Sequence, residues 1–261
     1  MPDQIGHDSP AEPPPLLAAG DPPPADVRRR GAGAPFLFIC DHAGRLTPRV
    51  LGDMGVSPAD WDRHIAWDIG AAALTERLSA RFAAPAVLQR YSRLVIDCNR
   101  DPAREDAIPR ISDGVAIPAN AELPPPERRR RVADIHAPYH AAIDDELQAR
   151  RASGSQTLMV FIHSFTPRLT SRPSERPWRF GVLHHGGSPA SHAMLRQLRR
   201  AVGDAVGDNE PYAFDEIDYS APRHAMAQGL DYVELEVRQD LLAGEGAEPV
   251  AQLLGDCLAS L

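Results

Sequence analysis

The chain of 261 residues is predicted to be an α/β protein with three layers, α/β/α, around a mostly parallel central sheet. Short apolar runs alternate along the chain with longer segments of helical character, a pattern typical of parallel sheets covered by helices on both faces. Two of the strongest runs, Pro35–Gly44 and Thr157–Ser164, also deliver a histidine near their ends. Ligands bind at the sheet edge where the carboxyl ends of such strands meet, so these two histidines are expected to lie close together.

Strands are predicted where β-branched and apolar residues run between turn-forming residues. The candidates are Phe36–Asp41, Ala86–Gln89, Leu94–Asp97, Leu158–His163, Phe180–Leu183 and Tyr232–Val237. Helices are predicted at Pro58–Ala83 with a break near Ile65, and at Pro125–Arg151, Ser188–Val206, Pro222–Gln228 and Glu248–Ser260. Pro138 is expected to kink the second of these helices. The long segment Asp101–Pro126, rich in Pro, Asp and Gly, is expected to be a functional loop.

The first 33 residues are dominated by Pro, Ala, Asp and Gly. A stretch of this composition buries too little apolar surface to offset the entropy lost on ordering. We therefore predict a flexible tail over residues 1–33 and a single domain over residues 34–261.

Composition excludes several classes of function. The 43% hydrophobic and 25% charged residues are typical of a globular domain, while the net charge of −8 argues against nucleic acid as a partner. Every basic residue besides histidine is an arginine, which excludes Walker-type phosphate loops, Schiff bases and lysine general bases. The three cysteines, widely spaced in apolar contexts, indicate reduced core thiols. Neither a signal peptide nor a bilayer-length apolar run is evident, so the sequence predicts a cytoplasmic protein without membrane contact.

Two segments offer metal-ligating side chains. Asp41 and His42 follow the first strong strand; Asp41 is expected to orient the His42 ring, although a polar loop with a helix cap would give the same pattern. His64 and Asp68 are four residues apart, which on a helix would place both on one face for shared metal ligation or a hydrogen bond. Capping of the following helix by Asp68 is the alternative.

The cluster after the run at Arg93 contains Asp97, Asn99 and Arg100. These side chains are candidates for holding a small anionic substrate, because an arginine fork suits a carboxylate, but a structural ion-pair network is equally compatible with them. Either His136 or His140 could reach the site, but solvated or core positions are more typical of such histidines. His184 and His185 resemble a ligand pair, of which at most one would point inward, because adjacent residues of a strand point to opposite faces.

The last predicted strand alternates strictly: Glu234, Glu236 and Arg238 share the face opposite its valines and leucine. One interpretation is an edge strand with exposed salt bridges. The other places Glu236 in the pocket as a general base and Arg238 there as a carboxylate clamp. His224, which lies before this strand, is a candidate for protonation or oxyanion stabilisation.

Taken together, these motifs resemble the N-formylglutamate amidohydrolase family. The resemblance extends from about Pro35 to Leu242 and is carried by DHAG, HIAWDIGA, YSRLVIDCNR, PYH, IHSFTP, RPWRFGVL, DNEPY and ELEVRQDL. It implies a three-layer zinc hydrolase that cleaves N-formyl-L-glutamate or a similar small anionic N-acyl amino acid. By position it implies one Zn²⁺, or another divalent ion, held by His42, Asp68 and His163, with His64 as the alternative to Asp68.

The resemblance further implies that Glu236 is the general base and that Arg93, Asn99, Arg100 and Arg238 hold substrate carboxylates. Two other functions stay open at this point. One is an amidase acting on a different acyl amino acid or on a peptidoglycan-type amide, and the other is a small-molecule-binding member without turnover. The oligomeric state is not predicted by any of these features.

Overall fold

A computed structural model describes residues 14–172 and 174–261. The strands are β1 (Ala25–Arg28), β2 (Phe36–Cys40), β3 (Ala86–Gln89), β4 (Ile111–Ser112), β5 (Val115–Ala116), β6 (Leu158–Phe165), β7 (Phe180–Leu183), β8 (Val206–Asp208) and β9 (Tyr232–Arg238). The α-helices are α1 (Pro58–Trp61), α2 (Ala71–Arg81), α3 (Pro118–Ala121), α4 (Pro125–Arg131), α5 (Ala137–Ala152), α6 (Pro189–Val202), α7 (Ser220–His224) and α8 (Ala247–Ala259). Short 3₁₀ turns lie at Arg49–Leu51, Glu105–Ala107, Gly203–Ala205, Met226–Gln228, Gln239–Leu242 and Gly244–Gly246.

Seven strands form one sheet in the order β1-β3-β2-β6-β9-β7-β8. The four central strands, β3, β2, β6 and β9, are all parallel to one another. On either side of them, β1 pairs antiparallel with β3, and β7 pairs antiparallel with β9. One apolar cluster joins α2, α6 and α8 to one face of the sheet, and a second joins α5 and the loops to the other. The predicted α/β/α architecture is confirmed.

Helix α2 forms because its apolar positions recur at helical spacing. Its buried residues are Ala71, Leu74, Thr75, Leu78 and Ser79, which is the stripe expected of a helix packed on a sheet. The helix begins at Gly70, whose φ of 82° favours glycine and where a Cβ would lie 2.4 Å from that of Leu242. The predicted cap at Asp68 is therefore wrong, and residues 62–70 are not helical, so His64 and Asp68 do not share a helix face.

The helix that contains Pro138 was expected to kink. It is irregular just before the proline, where one turn of π-helix, Val132–His136, joins α4 to α5. This wider turn places the proline at the start of α5, where its missing N–H costs no helical hydrogen bond. The predicted strand Leu94–Asp97 is wrong: Leu94 and Val95 lie in a turn, and the next two residues have no regular secondary structure. The last strand is also not at an edge, because β9 lies between β6 and β7.

Part of the predicted tail is ordered structure. Residues 25–28 form the edge strand β1, which pairs with β3. Leu16 is fully buried, its N–H donates to Asp134, and the Tyr91 hydroxyl donates to the Pro22 carbonyl at 2.7 Å. The domain boundary predicted at residue 33 is thus too late, while residues 1–13 lie outside the described part of the chain. Within the described residues we find no helix with the length and apolar character that crossing a membrane requires.

Candidate active site

The site lies at the carboxyl ends of β2, β6 and β9. The parallel register of β6 and β9 pairs His163 with Glu236. Because side chains alternate along a strand, both point to the same face. His42 follows the end of β2, which pairs with the other side of β6. Three strands distant in sequence therefore bring two imidazoles and a carboxylate to one sheet edge.

Asp68 completes a cluster with the two histidines. Its Oδ2 lies 3.0 Å from Nδ1 of His163 and 3.4 Å from Nδ1 of His42. One potential ligand atom of each residue lies within 4.8 Å of those of the other two, and all three residues are buried. The loop holds Asp68 here because its N–H donates to the His42 carbonyl at 2.9 Å, and Ser164 N–H donates to Asp68 Oδ2 at 3.2 Å. We call these three residues the first cluster.

The carboxylate that orients His42 is Asp97, not Asp41. Nε2 of His42 lies 2.7 Å from Asp97 Oδ1, which leaves Nδ1 buried and without a hydrogen-bond partner among the described residues. Asp41 instead faces His163, with Oδ2 at 3.6 Å from its Nε2. Asp41 is held by the hydroxyls of Tyr139 and Ser220, which donate to its Oδ1 at 2.9 and 2.6 Å. The prediction for Asp41 therefore named the wrong histidine.

Arg93 joins the carboxylates beneath the first cluster. Its guanidinium lies 2.7 Å from Asp97 Oδ2 and 3.4 Å from Asp68 Oδ1. Burial alone would raise the pKa of Asp97, but Arg93 and His42 outweigh it and hold the pKa well below its usual range. Burial likewise opposes protonation of His163, but Asp41 and Asp68 raise its pKa well above the usual value. The site thus contains ionised carboxylates that favour positive charge on the imidazoles.

Glu236 is a buried acidic group beside the first cluster. It is 6% exposed, and its Oε2 makes no hydrogen bond with any described residue. Burial raises its pKa to about 7, with His163 acting in the opposite direction. Gly181, its neighbour on β7, leaves no side chain next to it; a Cβ there would lie 2.2 Å from the Glu210 carbonyl. A carboxyl whose pKa lies near neutrality, next to side chains that could hold a metal ion, is suited to proton transfer.

A cavity of about 140 Å³ contains this arrangement. Its walls include seven residues proposed from the sequence: His42, Asp68, His163, Glu236, Arg93, Asn99 and Arg100. Other wall residues were not predicted from the sequence. Among them are Ser164, Leu183, Tyr212, Ile217, Asp218 and the buried Glu234. Four of these lie in the motifs that carry the family resemblance: Ser164 in IHSFTP, Leu183 in RPWRFGVL, Tyr212 in DNEPY and Glu234 in ELEVRQDL. The motifs were therefore the signal that could have found them.

His64 lines the cavity but lies apart from the first cluster. Its Nε2 is 3.4 Å from Asp113 Oδ2, and burial lowers its pKa. The structure places Asp68, rather than His64, between His42 and His163. Asn99 is positioned by its Oδ1, which accepts from the N–H groups of Tyr219 and Ser220 at 3.0 and 2.9 Å.

His224 belongs to a separate group behind the cavity. We call His136, His140 and His224 the second cluster. His224 Nε2 lies 2.7 Å from His140 Nδ1, its Nδ1 lies 3.1 Å from Asp144 Oδ1, and His140 Nε2 donates to the Cys98 carbonyl at 2.9 Å. His224 is not among the cavity walls, so its predicted part in protonation is not supported by its position.

Arg238 also lies elsewhere. Although it shares the strand face of Glu236, its guanidinium donates to Asp240 at 2.8 and 3.2 Å and to the carbonyls of Arg176 and Trp178 at 3.4 Å. It is absent from the cavity walls. His184 pairs with Asp208 at 2.9 Å, and neither it nor His185 is among the cavity walls.

Comparison with known proteins agrees with this geometry. The sequence profile described as N-formylglutamate amidohydrolase matches residues 34–243. The chain belongs to this family. Its members are hydrolases that act on an amide, so the predicted enzyme class is confirmed.

Relatives share both sequence and fold with the chain. The N-formylglutamate deformylase of Pseudomonas aeruginosa is 26% identical over 199 residues, covering 66% of this chain and 68% of that protein. A gene product of Agrobacterium tumefaciens has a crystal structure with a TM-score of 0.87, 34% identity and coverage of 94% and 98%. The N-formylglutamate amidohydrolase of Ralstonia eutropha shares the fold, with a TM-score of 0.63, 20% identity and coverage of 91% and 96%.

Proposed function

We propose that the protein hydrolyses the amide bond of N-formyl-L-glutamate or a similar N-acyl amino acid, with one Zn²⁺ held by His42, Asp68 and His163. The observation that carries this proposal is the buried Nδ1 of His42. It has no hydrogen-bond partner among the described residues, while Asp97 holds the opposite ring nitrogen. An imidazole prepared in this way is a metal ligand with its supporting carboxylate.

The donor set fits the ion. Two imidazoles and one carboxylate are a common catalytic zinc set, which leaves a coordination position open. Other divalent ions bind similar sets, so the choice of metal depends on its supply as well as on these residues. When bound, the ion polarises the amide carbonyl and lowers the pKa of a bound water to roughly 7.

The protein's own groups supply the proton transfer and the binding. Glu236 accepts the proton of the attacking water at its unpartnered oxygen and returns it to the leaving amine nitrogen. Arg93, Asn99 and Arg100 line the cavity and bind the substrate carboxylates. Arg93 lies 2.7 Å from Asp97 and 3.4 Å from Asp68, whereas Arg100 has a longer ion pair of 3.8 Å with Asp106, so Arg100 carries the larger share of carboxylate binding.

The proposal is tested by metal removal and return. The full chain is treated with a chelator and assayed for formate release from N-formyl-L-glutamate, then reloaded with one equivalent of Zn²⁺. We expect activity to disappear and to return with the metal. Full activity in metal-free protein would show that the first cluster has another role.

A further inference from the structure

A second groove adjoins the cavity and has a larger volume, about 320 Å³. The two spaces share three wall residues, His64, Arg93 and Tyr212. Tyr212 is 39% exposed, and its ring and hydroxyl are fixed by Arg176, whose guanidinium donates to the hydroxyl at 2.8 Å and lies 4.6 Å from the ring centre. The cavity therefore continues past these three side chains into a wider space at the surface.

Two segments of the chain form the walls of the groove, and hydrogen bonds join them. One wall is the hairpin β4–β5, with Ser112 and Asp113, and the other is the loop after β6, with Leu169, Ser171 and Arg172. Asp113 joins them: its Oδ1 accepts from the N–H and hydroxyl of Ser171 at 2.8 and 2.7 Å, and its Oδ2 accepts from Thr170 N–H at 3.0 Å.

Asp113 achieves this with a φ of 41°, a conformation uncommon for residues other than glycine. Arg63 adds a further bond to the same carboxylate, at 2.9 Å. Several hydrogen bonds from distant segments therefore hold the groove open in a defined shape, at the cost of an unfavourable backbone conformation.

Of the residues proposed to bind the substrate carboxylates, the groove shares only Arg93, whose guanidinium is already paired with Asp68 and Asp97. Asn99, Arg100, Ile217 and Asp218 line only the cavity, and they form one group, because Arg100 donates to the carbonyls of Asn99 and Ile217 at 2.8 and 3.5 Å. His64, Arg93 and Tyr212 are the wall residues at which the cavity continues into the groove, whereas Glu236 and Arg100 line the cavity alone.

We propose that this groove is an acyl subsite, and that the preferred substrate carries a polar acyl group longer than formyl, such as an aminoacyl or peptidyl group. This inference rests on the proposed hydrolysis. A formyl group has too few atoms to extend beyond the cavity, whereas the groove offers serine hydroxyls, an arginine and the His64 ring to a chain with amide groups. Its walls are too polar to favour a fatty acyl chain.

The chemistry is ordinary amide hydrolysis. The water oxygen bonds to the acyl carbon, the C–N bond breaks, and the proton taken by Glu236 goes to the amine. The products are a free amino acid and a shorter peptide or acyl carboxylate.

The first test uses the zinc-loaded full chain and a series of glutamates with growing acyl groups: N-formyl-, N-acetyl-, glycyl- and glycylglycyl-L-glutamate. We expect kcat/KM to rise at least about tenfold from the formyl to the glycylglycyl compound, which corresponds to about 1.4 kcal/mol. Equal or falling values, with N-formylglutamate hydrolysed, overturn the acyl subsite and leave the proposed function intact. No hydrolysis of any member overturns the proposed function, and the acyl subsite with it.

The second test fills the groove. Ser112→Trp places a large side chain on its hairpin wall, and Ile111→Trp is the matched control, because Ile111 precedes Ser112 in β4, is 67% exposed and is not a wall residue. We expect Ser112→Trp to lower the ratio of the glycylglycyl to the formyl value about tenfold, and Ile111→Trp to leave it unchanged. A ratio unaffected by Ser112→Trp, or lowered equally by both variants, contradicts the assignment.

Discussion

Two buried histidine clusters lie in the described part of the chain, and it is the first that lines the active-site cavity. In the first cluster, His42 Nδ1 and His163 Nε2 have no hydrogen-bond partner among the described residues. In the second cluster, both ring nitrogens of His140 and of His224 are engaged, and His136 Nε2 donates to the Arg100 carbonyl at 3.0 Å. Ring nitrogens of the first cluster are therefore available to a ligand, whereas those of His140 and His224 already contact other groups of the protein.

Electrostatics separates the two clusters in the same way. Burial opposes positive charge on all of these rings, but carboxylates raise the pKa of His42 and His163 above the usual value. In the second cluster burial prevails and lowers the pKa of His136, His140 and His224. The second cluster holds the carbonyls of Cys98 and Arg100, on either side of Asn99, and so supports a segment that lines the cavity.

Exchanging a histidine in each cluster gives the largest expected contrast. His163→Ala should abolish stoichiometric zinc binding and lower kcat/KM by more than about 100-fold, since even supporting residues of metal ligands cost 10- to 100-fold. His224→Ala should retain the metal and instead lower the free energy of unfolding by about 1–3 kcal/mol, because it leaves His140 and Asp144 without a partner. Metal analysis and denaturant unfolding check both. If the His224→Ala variant stayed folded but lost the metal, the second cluster would not be purely structural and the contrast between the two clusters would be wrong.

Glu236→Gln tests the unpartnered carboxylate beside the first cluster. The amide keeps the shape but cannot accept a proton, so kcat/KM should fall by about 10²–10⁴-fold while zinc binding stays stoichiometric. Steady-state kinetics on N-formyl-L-glutamate and metal analysis measure the two effects. Activity within a few-fold of the wild type would assign the base to another group.

The pH dependence should follow the first cluster. Glu236 must be ionised to accept a proton, and burial raises its pKa to about 7, so activity is present above that pH and is lost below it. A bound cation lowers this pKa, which places the acid limb of the kcat/KM profile at or below about pH 7. Protons also compete with the metal for His42 and His163, which acts in the same direction. Activity that increases toward acid pH would contradict the assignment.

The smallest effect is expected at Arg238. Arg238→Gln should leave kcat/KM unchanged, because its side chain lies outside the cavity and pairs with Asp240. Loss of such a partly exposed ion pair should change the free energy of unfolding by less than about 1 kcal/mol. Arg100→Gln is the informative companion and should raise KM. A rise in KM in Arg238→Gln as large as that in Arg100→Gln would restore its predicted role.

Much of the fold could be predicted from local patterns. The apolar runs of β2, β3, β6 and β7 are detectable because buried strands are nearly continuous in hydrophobicity, and β9 is detectable from its strict alternation. Of the seven strands in the main sheet, the two that were missed, β1 and β8, lie at its edges. The short β1 lies in a proline-rich segment and is ordered by its pairing with β3. This long-range pairing cannot be predicted from the local sequence pattern.

The sequence by itself determined that two strand-end histidines and a strand of alternating acids reach one sheet edge, because strand period and parallel order fix where such side chains point. Only the tertiary structure decided which of the many polar residues join them. Asp97 rather than Asp41 orients His42, and Asp68 rather than His64 completes the first cluster. His224 and Arg238 turn to partners outside the cavity. These choices depend on the path of loops, whose side-chain directions are set by long-range hydrogen bonds and packing rather than by a sequence period.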